Sequence, residues 1–243
     1  MNRNSFFIGW SWRSALPLGW FLAGVVLVMA VGLTTLGLAL GSHVDDPGGG
    51  NFAGDRSVTG VLLANPYPVL VADADPAHPT GHAMLLAGGG KVGVQADAAR
   101  LAGRRVRIDG LAVKRGTIEM LLVWRLEAVE GAATPPEVQS LGGWRLTGEI
   151  CDGKCYSGVM RPGAGLAHKA CANVCLLGGV PPILVTTAPV AGSQFLLLAD
   201  PNGRALPDAL RDHVAILQQM NGAVSRVADL LVFRTDITAA RDP

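Results

Sequence analysis

The chain has 243 residues, of which 49% are hydrophobic and only 16% charged, with a formal net charge of +1. That length accommodates one large or two small domains, each with its own core. A near-neutral balance removes the electrostatic case for a polyanionic partner, nucleic acid included.

Part of the apolar excess lies in one segment. Leu16 to Leu40 (LPLGWFLAGVVLVMAVGLTTLGLAL) runs for 25 residues without a charge. At about 1.5 Å per residue it spans roughly 37 Å, enough to cross a ~30 Å hydrocarbon core with some tilt. Trp10, Trp12 and Trp20 cluster at its start, where amphipathic rings prefer the membrane–water boundary. Arg3 and Arg13 precede it, while Asp45, Asp46 and Asp55 follow. The positive-inside rule then predicts a cytoplasmic N-terminus over 1–15 and a single transmembrane helix over 16–40 in the inner membrane. The bulk of the chain is placed in the periplasm. A cleaved signal peptide is the competing reading, since Ala39 and Gly41 are small residues ahead of Ser42. Signal-peptide apolar regions are usually about 7–15 residues, so an uncleaved anchor is the expectation.

Residues 41–56 are rich in Gly and Asp and read as a flexible stalk. Beyond them the chain repeats itself. Thr59-Gly60-Val61-Leu62 matches Thr147-Gly148-Glu149-Ile150, and Pro66 to Val71 matches Val180 to Val185. Met84-Leu85-Leu86 then matches Phe195-Leu196-Leu197, and Leu121-Leu122-Val123 matches Leu230-Leu231-Val232. Their common order predicts two tandem units, 57–130 and 144–237, joined by a linker over 131–143. The second unit carries roughly 26 extra residues between its first two strands, and the insertion at 151–179 holds every cysteine. Short apolar or alternating runs with Gly/Pro/Asn punctuation predict five strands per unit. One short helix, Gln95 to Leu101 and then Pro207 to Arg211, interrupts each unit before its final hairpin. The expected fold class is mainly β: a transmembrane helix plus two OB-like small β-barrels, the second with a Cys/His-rich helical insertion. OB-folds often bind nucleic acid through stacked aromatics, and no such platform is evident here. The basic cluster Arg104, Arg105, Arg107, Lys114 and Arg115 reads as a solvated hairpin face.

The spacing in the insertion is Cys151-x3-Cys155-x12-His168-x2-Cys171-x3-Cys175. Gly163-Ala164-Gly165 ends a loop, and Leu166 to Leu177 predicts a helix closed by Gly178-Gly179. His168, Cys171 and Cys175 fall at i, i+3 and i+7, within a sector of about 60° on that helix. Asp152 and Lys154 read as turn residues, Tyr156 and Met160 as packing, and His43, His78, His82 and His213 as ordinary polar residues.

The stretch from Trp144 to Val185 resembles an uncharacterised group of bacterial membrane-anchored proteins. The residues that carry the resemblance are Gly148-Glu149-Ile150, Asp152, Lys154-Cys155-Tyr156, His168-Lys169, Cys171, Cys175 and Gly178-Gly179-Val180-Pro181-Pro182. The resemblance implies that Cys155, His168, Cys171 and Cys175 act together, while position 151 is usually apolar in the group and Cys151 is a departure. A Cys3His set suits zinc, and soft thiolates also suit copper(I).

Two function classes follow. One is a non-enzymatic, membrane-tethered metal-binding or redox accessory protein, a candidate subunit of an envelope oxidoreductase complex. The other is a structural or interaction module whose cysteines form disulfides, as extracytoplasmic cysteines commonly do. Three connectivities are open; Cys171 and Cys175, one helical turn apart, rarely bridge well, and pairing each with Cys151 or Cys155 is easier. A reactive thiol is the smallest class, because no orienting Asp or Asn is placed by the sequence.

Overall fold

A computed structural model describes residues 16–42, 48–158 and 160–243. Arg3, Trp10, Trp12, Arg13, His43, Asp45 and Asp46 lie outside the described residues. Helix α1 (Leu16–Ser42) is a unit of its own, and its Pro17–Leu40 stretch is long and apolar enough to cross a membrane. No polar stripe interrupts it. Thr35 turns its hydroxyl back onto the carbonyls of Val31 and Gly32 (2.9 and 3.0 Å), which satisfies a polar group within the apolar run.

The remainder is mainly β. The first sheet consists of β1 (Asn51–Leu63), β2 (Val69–Ala72), β3 (His82–Gly88), β4 (Arg105–Arg115) and β5 (Ile118–Ala128), with α2 (Gln95–Leu101) between β3 and β4. It closes in the order β1-β2-β3-β5-β4, with β3 parallel to β5 and the other pairs antiparallel. The second sheet consists of β6 (Val138–Asp152), β7 (Pro182–Val190), β8 (Ser193–Ala199), β9 (Leu217–Val227) and β10 (Leu230–Thr235). It closes in the corresponding order, β6-β7-β8-β10-β9. Helices α3 (Gly153–Ser157) and α4 (Lys169–Leu177) lie between β6 and β7, and α5 (Leu210–His213) lies between β8 and β9.

Among the described residues, the buried apolar side chains form three clusters. Leu62, Leu70, Leu86, Ile108 and Leu121 pack together with Ala98 of α2 in the first barrel. Ile150, Leu184, Leu196, Val224 and Phe233 do the same in the second. The third cluster draws on both barrels: Val69, Leu85 and Met120 meet Ile183, Leu197 and Val232, together with Cys151, Cys155 and Cys175. Strands β3 and β8 therefore bury both faces, one within their own barrel and one against its neighbour. That is why MLLA and FLLLA read as unbroken apolar runs rather than alternating ones, since successive side chains point to opposite faces.

Several expected boundaries are corrected. The 41–56 stalk is strand from Asn51 onward, paired with Lys114 to Gly110 across a bulge at Phe52/Gly54. The 131–143 linker likewise gives way at Val138, where β6 begins its pairing with Val227. In both places long β4 and β9 strands supply pairing partners, and this overrides a local Gly/Asp or Gly/Ser composition that reads as loop. The helix expected at Pro207–Arg211 is α5 at Leu210–His213, since Pro207 and Asp208 form the turn that precedes it.

Gly60 and Gly148 occupy corresponding places, each beside the backbone of the second strand of its barrel. An added Cβ would lie 2.1 Å from the Val71 carbonyl oxygen at Gly60, and 2.5 Å from that of Val185 at Gly148. Gly60→Ala and Gly148→Ala should each cost about 2–3 kcal/mol in denaturant unfolding, because overpacking here must move backbone rather than a side-chain tip.

Candidate metal centre

The inserted segment begins where β6 ends. Asp152 caps α3 with an extended backbone, its Oδ1 accepting the Cys155 backbone N–H at 2.8 Å. This is ordinary N-cap chemistry, and it fixes Cys155 in the first turn. The second carboxylate oxygen, Oδ2, accepts from His168 Nε2 at 2.9 Å. Asp152 is wholly buried and His168 nearly so. One carboxylate therefore ties the strand end, α3 and the start of the second helical stretch together.

The helix expected over Leu166 to Leu177 is divided. Leu166–His168 is a 3-10 turn, and α4 begins at Lys169. Gly165, at φ 75°, enters the turn, and Glu149 Oε1 accepts its N–H at 2.5 Å. His168 thus sits at the junction instead of on the α-helical face, and its ring points toward Asp152. Cys171 and Cys175 lie one turn apart on α4.

The donors meet at Cys155. Its Sγ, a His168 ring nitrogen and the Cys171 Sγ all lie within 4.8 Å of one another. A second triad within the same limit joins Cys155 to Cys175 and Asp152, and the Cys155 and Cys175 sulfurs are 3.9 Å apart. Tetrahedral zinc with 2.3 Å bonds needs a sulfur–sulfur edge of about 3.8 Å, so this pair already has the required spacing. With His168 Nε2 engaged by Asp152, Nδ1 is the nitrogen left to coordinate. A carboxylate on the far nitrogen is the usual support for a metal-bound imidazole.

All four cysteines are free thiols. Cys151 stands apart: its S–H donates to Glu149 Oε1 at 3.5 Å, and it joins neither triad. Burial and the Glu149 carboxylate push its pKa well above the ordinary thiol value. Within the close pair, the hydrogen bond between the sulfurs raises the Cys155 pKa, with burial adding to it, and the same bond lowers that of Cys175.

Two ammonium groups flank the sulfurs. Lys91, from the loop after β3, donates to Cys171 Sγ at 3.2 Å, and that contact raises the lysine's pKa. Lys154 donates to the carbonyls of Gly88 (2.7 Å) and Gly90. Burial lowers its pKa, opposed by the nearby Cys175, Cys155 and Asp152. Lys91 reaches Cys171 because the first barrel's loop lies directly on the end of α4. Gly93 N–H donates to Gly178 O at 2.7 Å, and a Cβ at Gly178 would lie 1.9 Å from the Lys91 carbonyl oxygen. Cys171 is partly exposed beside this loop, while Cys155, Cys175 and His168 are buried behind it.

Asp152, Lys154 and Lys91 are participants that the sequence reading left out of the site. Asp152 carried a usable signal, an Asp three residues before Cys155 in cap position. Lys91 carried none, because it comes from the other barrel. Tyr156 packs as expected, edge-on to Phe195 with centroids 5.8 Å apart and beneath Arg115. His78 and His82, read as ordinary polar residues, lie together with Asp229 at a separate place on the molecule.

No protein-family model, curated protein or solved structure matches this chain.

Removing the Asp152 carboxylate leaves two buried N–H groups without an acceptor. Asp152→Ala should cost about 2–4 kcal/mol in denaturant unfolding, and Asp152→Asn, which keeps one acceptor for the Cys155 N–H, distinctly less.

Proposed function

We propose that this chain is a membrane-tethered metal-binding accessory protein whose Cys155, His168, Cys171 and Cys175 hold one thiolate-seeking ion, zinc or copper(I). The observation that carries the reading is that Cys155 shares one close triad with His168 and Cys171 and another with Cys175 and Asp152, with Asp152 also bonded to the His168 ring. Zinc and copper(I) both favour such donors. Two neighbouring lysines offset the negative charge that several thiolates would bring into a buried place. On this reading Asp152 stays outside the coordination shell, and the ion enters past Lys91 and the partly exposed Cys171.

The same reading takes α1 as an uncleaved anchor with its N-terminus inside, so that both barrels stand outside the inner membrane, in the periplasm. The barrels are OB-like and arose by duplication. Their common strand order and the matched glycines at 60 and 148 support this, as does an insertion confined to the second copy. A non-catalytic subunit of an envelope oxidoreductase, in the group that the Trp144–Val185 stretch resembles, is the role we assign to this set of ligands. The alternative, a disulfide-stapled interaction module, draws on one specific observation: Cys155 and Cys175 are close enough for modest sulfur movement to join them.

Metal analysis with thiol titration on the full chain in detergent separates the two. One tightly held zinc or copper(I) ion is expected at the thiol site, lost in Cys155→Ser and weakened more than about 100-fold in Cys171→Ser, beyond the 10–100-fold typical of an outer partner. Cys151→Ser should bind normally. A chain that retains oxidised cysteines and takes up no ion after reduction would overturn the metal reading. For the topology, a reporter fused after Pro243 should be active only outside the cytoplasm, and cytoplasmic activity would contradict the anchor's orientation.

A further inference from the structure

The two barrels are also joined by a second cluster of chemistry-bearing side chains, well separated in sequence from the cysteines. His82 opens β3 of the first barrel. Asp229 sits in the β9–β10 hairpin of the second, between Val227 and Leu230. His82 Nδ1 and Asp229 Oδ2 are 2.5 Å apart. His78 stacks on His82 with ring centroids 4.5 Å apart, and the donor atoms of His78, His82 and Asp229 all lie within 4.8 Å of one another.

Each of the three has a partner on its other polar atom. His82 Nε2 meets Glu119 Oε2 at 3.3 Å. His78 Nδ1 meets Asp75 Oδ1 at 3.2 Å, which leaves Nε2 as its remaining donor. Asp229 Oδ1 accepts the Ala83 backbone N–H at 2.7 Å. Both imidazoles thus have a carboxylate behind them, the arrangement that aligns a metal-bound ring. Glu119 is 5% exposed, and its Oε1 has no hydrogen-bond partner, so this carboxylate brings an unfilled acceptor into the seam. Lys114 lies 3.9 Å from Oε2, and Arg56 also acts on Glu119.

We propose that His78, His82 and Asp229 form a second, independent site for a divalent transition-metal ion such as zinc, which bridges the two barrels. Two imidazoles and one carboxylate make a set that leaves at least one position open to water. His78 and Asp229 are only half-buried, so an ion reaches the site from solvent. An ion with bonds of about 2.0–2.2 Å parts Nδ1 and Oδ2 from 2.5 Å to roughly 3.3 Å, a movement of less than about 1 Å.

Cobalt(II) and zinc titration of the full chain in detergent tests the proposal apart from the thiol site. Cobalt bound by thiolates gives strong near-ultraviolet charge-transfer bands, whereas cobalt bound by nitrogen and oxygen gives only weak visible bands. The weak set should survive Cys171→Ser and disappear in His78→Ala, a half-exposed loop substitution, and in Asp229→Asn, which keeps an acceptor for the Ala83 N–H. Each of these two variants should bind one zinc fewer than the parent in equilibrium dialysis. Glu119→Gln should bind zinc about 10–100-fold more weakly, as expected for a ring-orienting partner. If His78→Ala and Asp229→Asn both bind as much zinc as the parent, the second site does not exist, whatever the thiol site does.

Discussion

The apolar seam between the barrels is the constraint on which the rest of the β unit depends. A five-stranded barrel of this size fills its interior with a handful of side chains. The outward faces of β2, β3, β7 and β8 are as apolar as the inward ones. Left in water, that second face would forfeit the largest favourable contribution to folding. Pressed together, Val69, Leu85 and Met120 of one barrel and Ile183, Leu197 and Val232 of the other make a core in their own right. The inserted segment enters that layer as a wedge, with Cys151, Cys155, Tyr156 and Cys175 among its members. The candidate site is therefore positioned by the association of the two barrels as much as by its own helices, and a lysine from the first barrel can reach a thiol of the second.

Inside the wedge, a single carboxylate does most of the organising. Asp152 has no exposed surface, and both its oxygens are engaged, one by the Cys155 backbone and one by His168. A buried carboxylate is tolerated only when its acceptors are filled, so this pairing fixes the place of Cys155 and of the His168 ring together. The consequence is chemical as well as structural. His168, held at Nε2 by Asp152, brings a ring nitrogen within 4.8 Å of the Cys155 and Cys171 sulfurs, and the ammonium groups of Lys91 and Lys154 act on the same thiols.

Much of the architecture was legible in the chain. The uncharged run at 16–40, the helix at Gln95–Leu101 and the strand-rich remainder follow from length, periodicity and punctuation. The limits of β1 and β6 did not, because Asn51–Arg56 and Val138–Gly143 are strands by virtue of their distant partners in β4 and β9. The seam was hidden for a related reason: an unbroken run such as FLLLA shows that both faces are buried but not what covers them. Within the candidate site, the spacing of the cysteines marked the segment whose donor atoms gather around Cys155. Division of the expected helix at His168 goes with contacts to Asp152 and Glu149, each 16 positions away, and Lys91 approaches Cys171 from 80 positions away. His82 and Asp229, 147 positions apart, carry no local signal at all.

The central claim is that three sulfurs and one imidazole nitrogen share an ion. X-ray absorption spectroscopy at the zinc edge, on the full chain loaded with a single equivalent, tests it most directly. Three sulfur scatterers at about 2.3 Å and one nitrogen at about 2.0 Å are expected. A shell made of nitrogen and oxygen alone, with no sulfur scatterer, would contradict it.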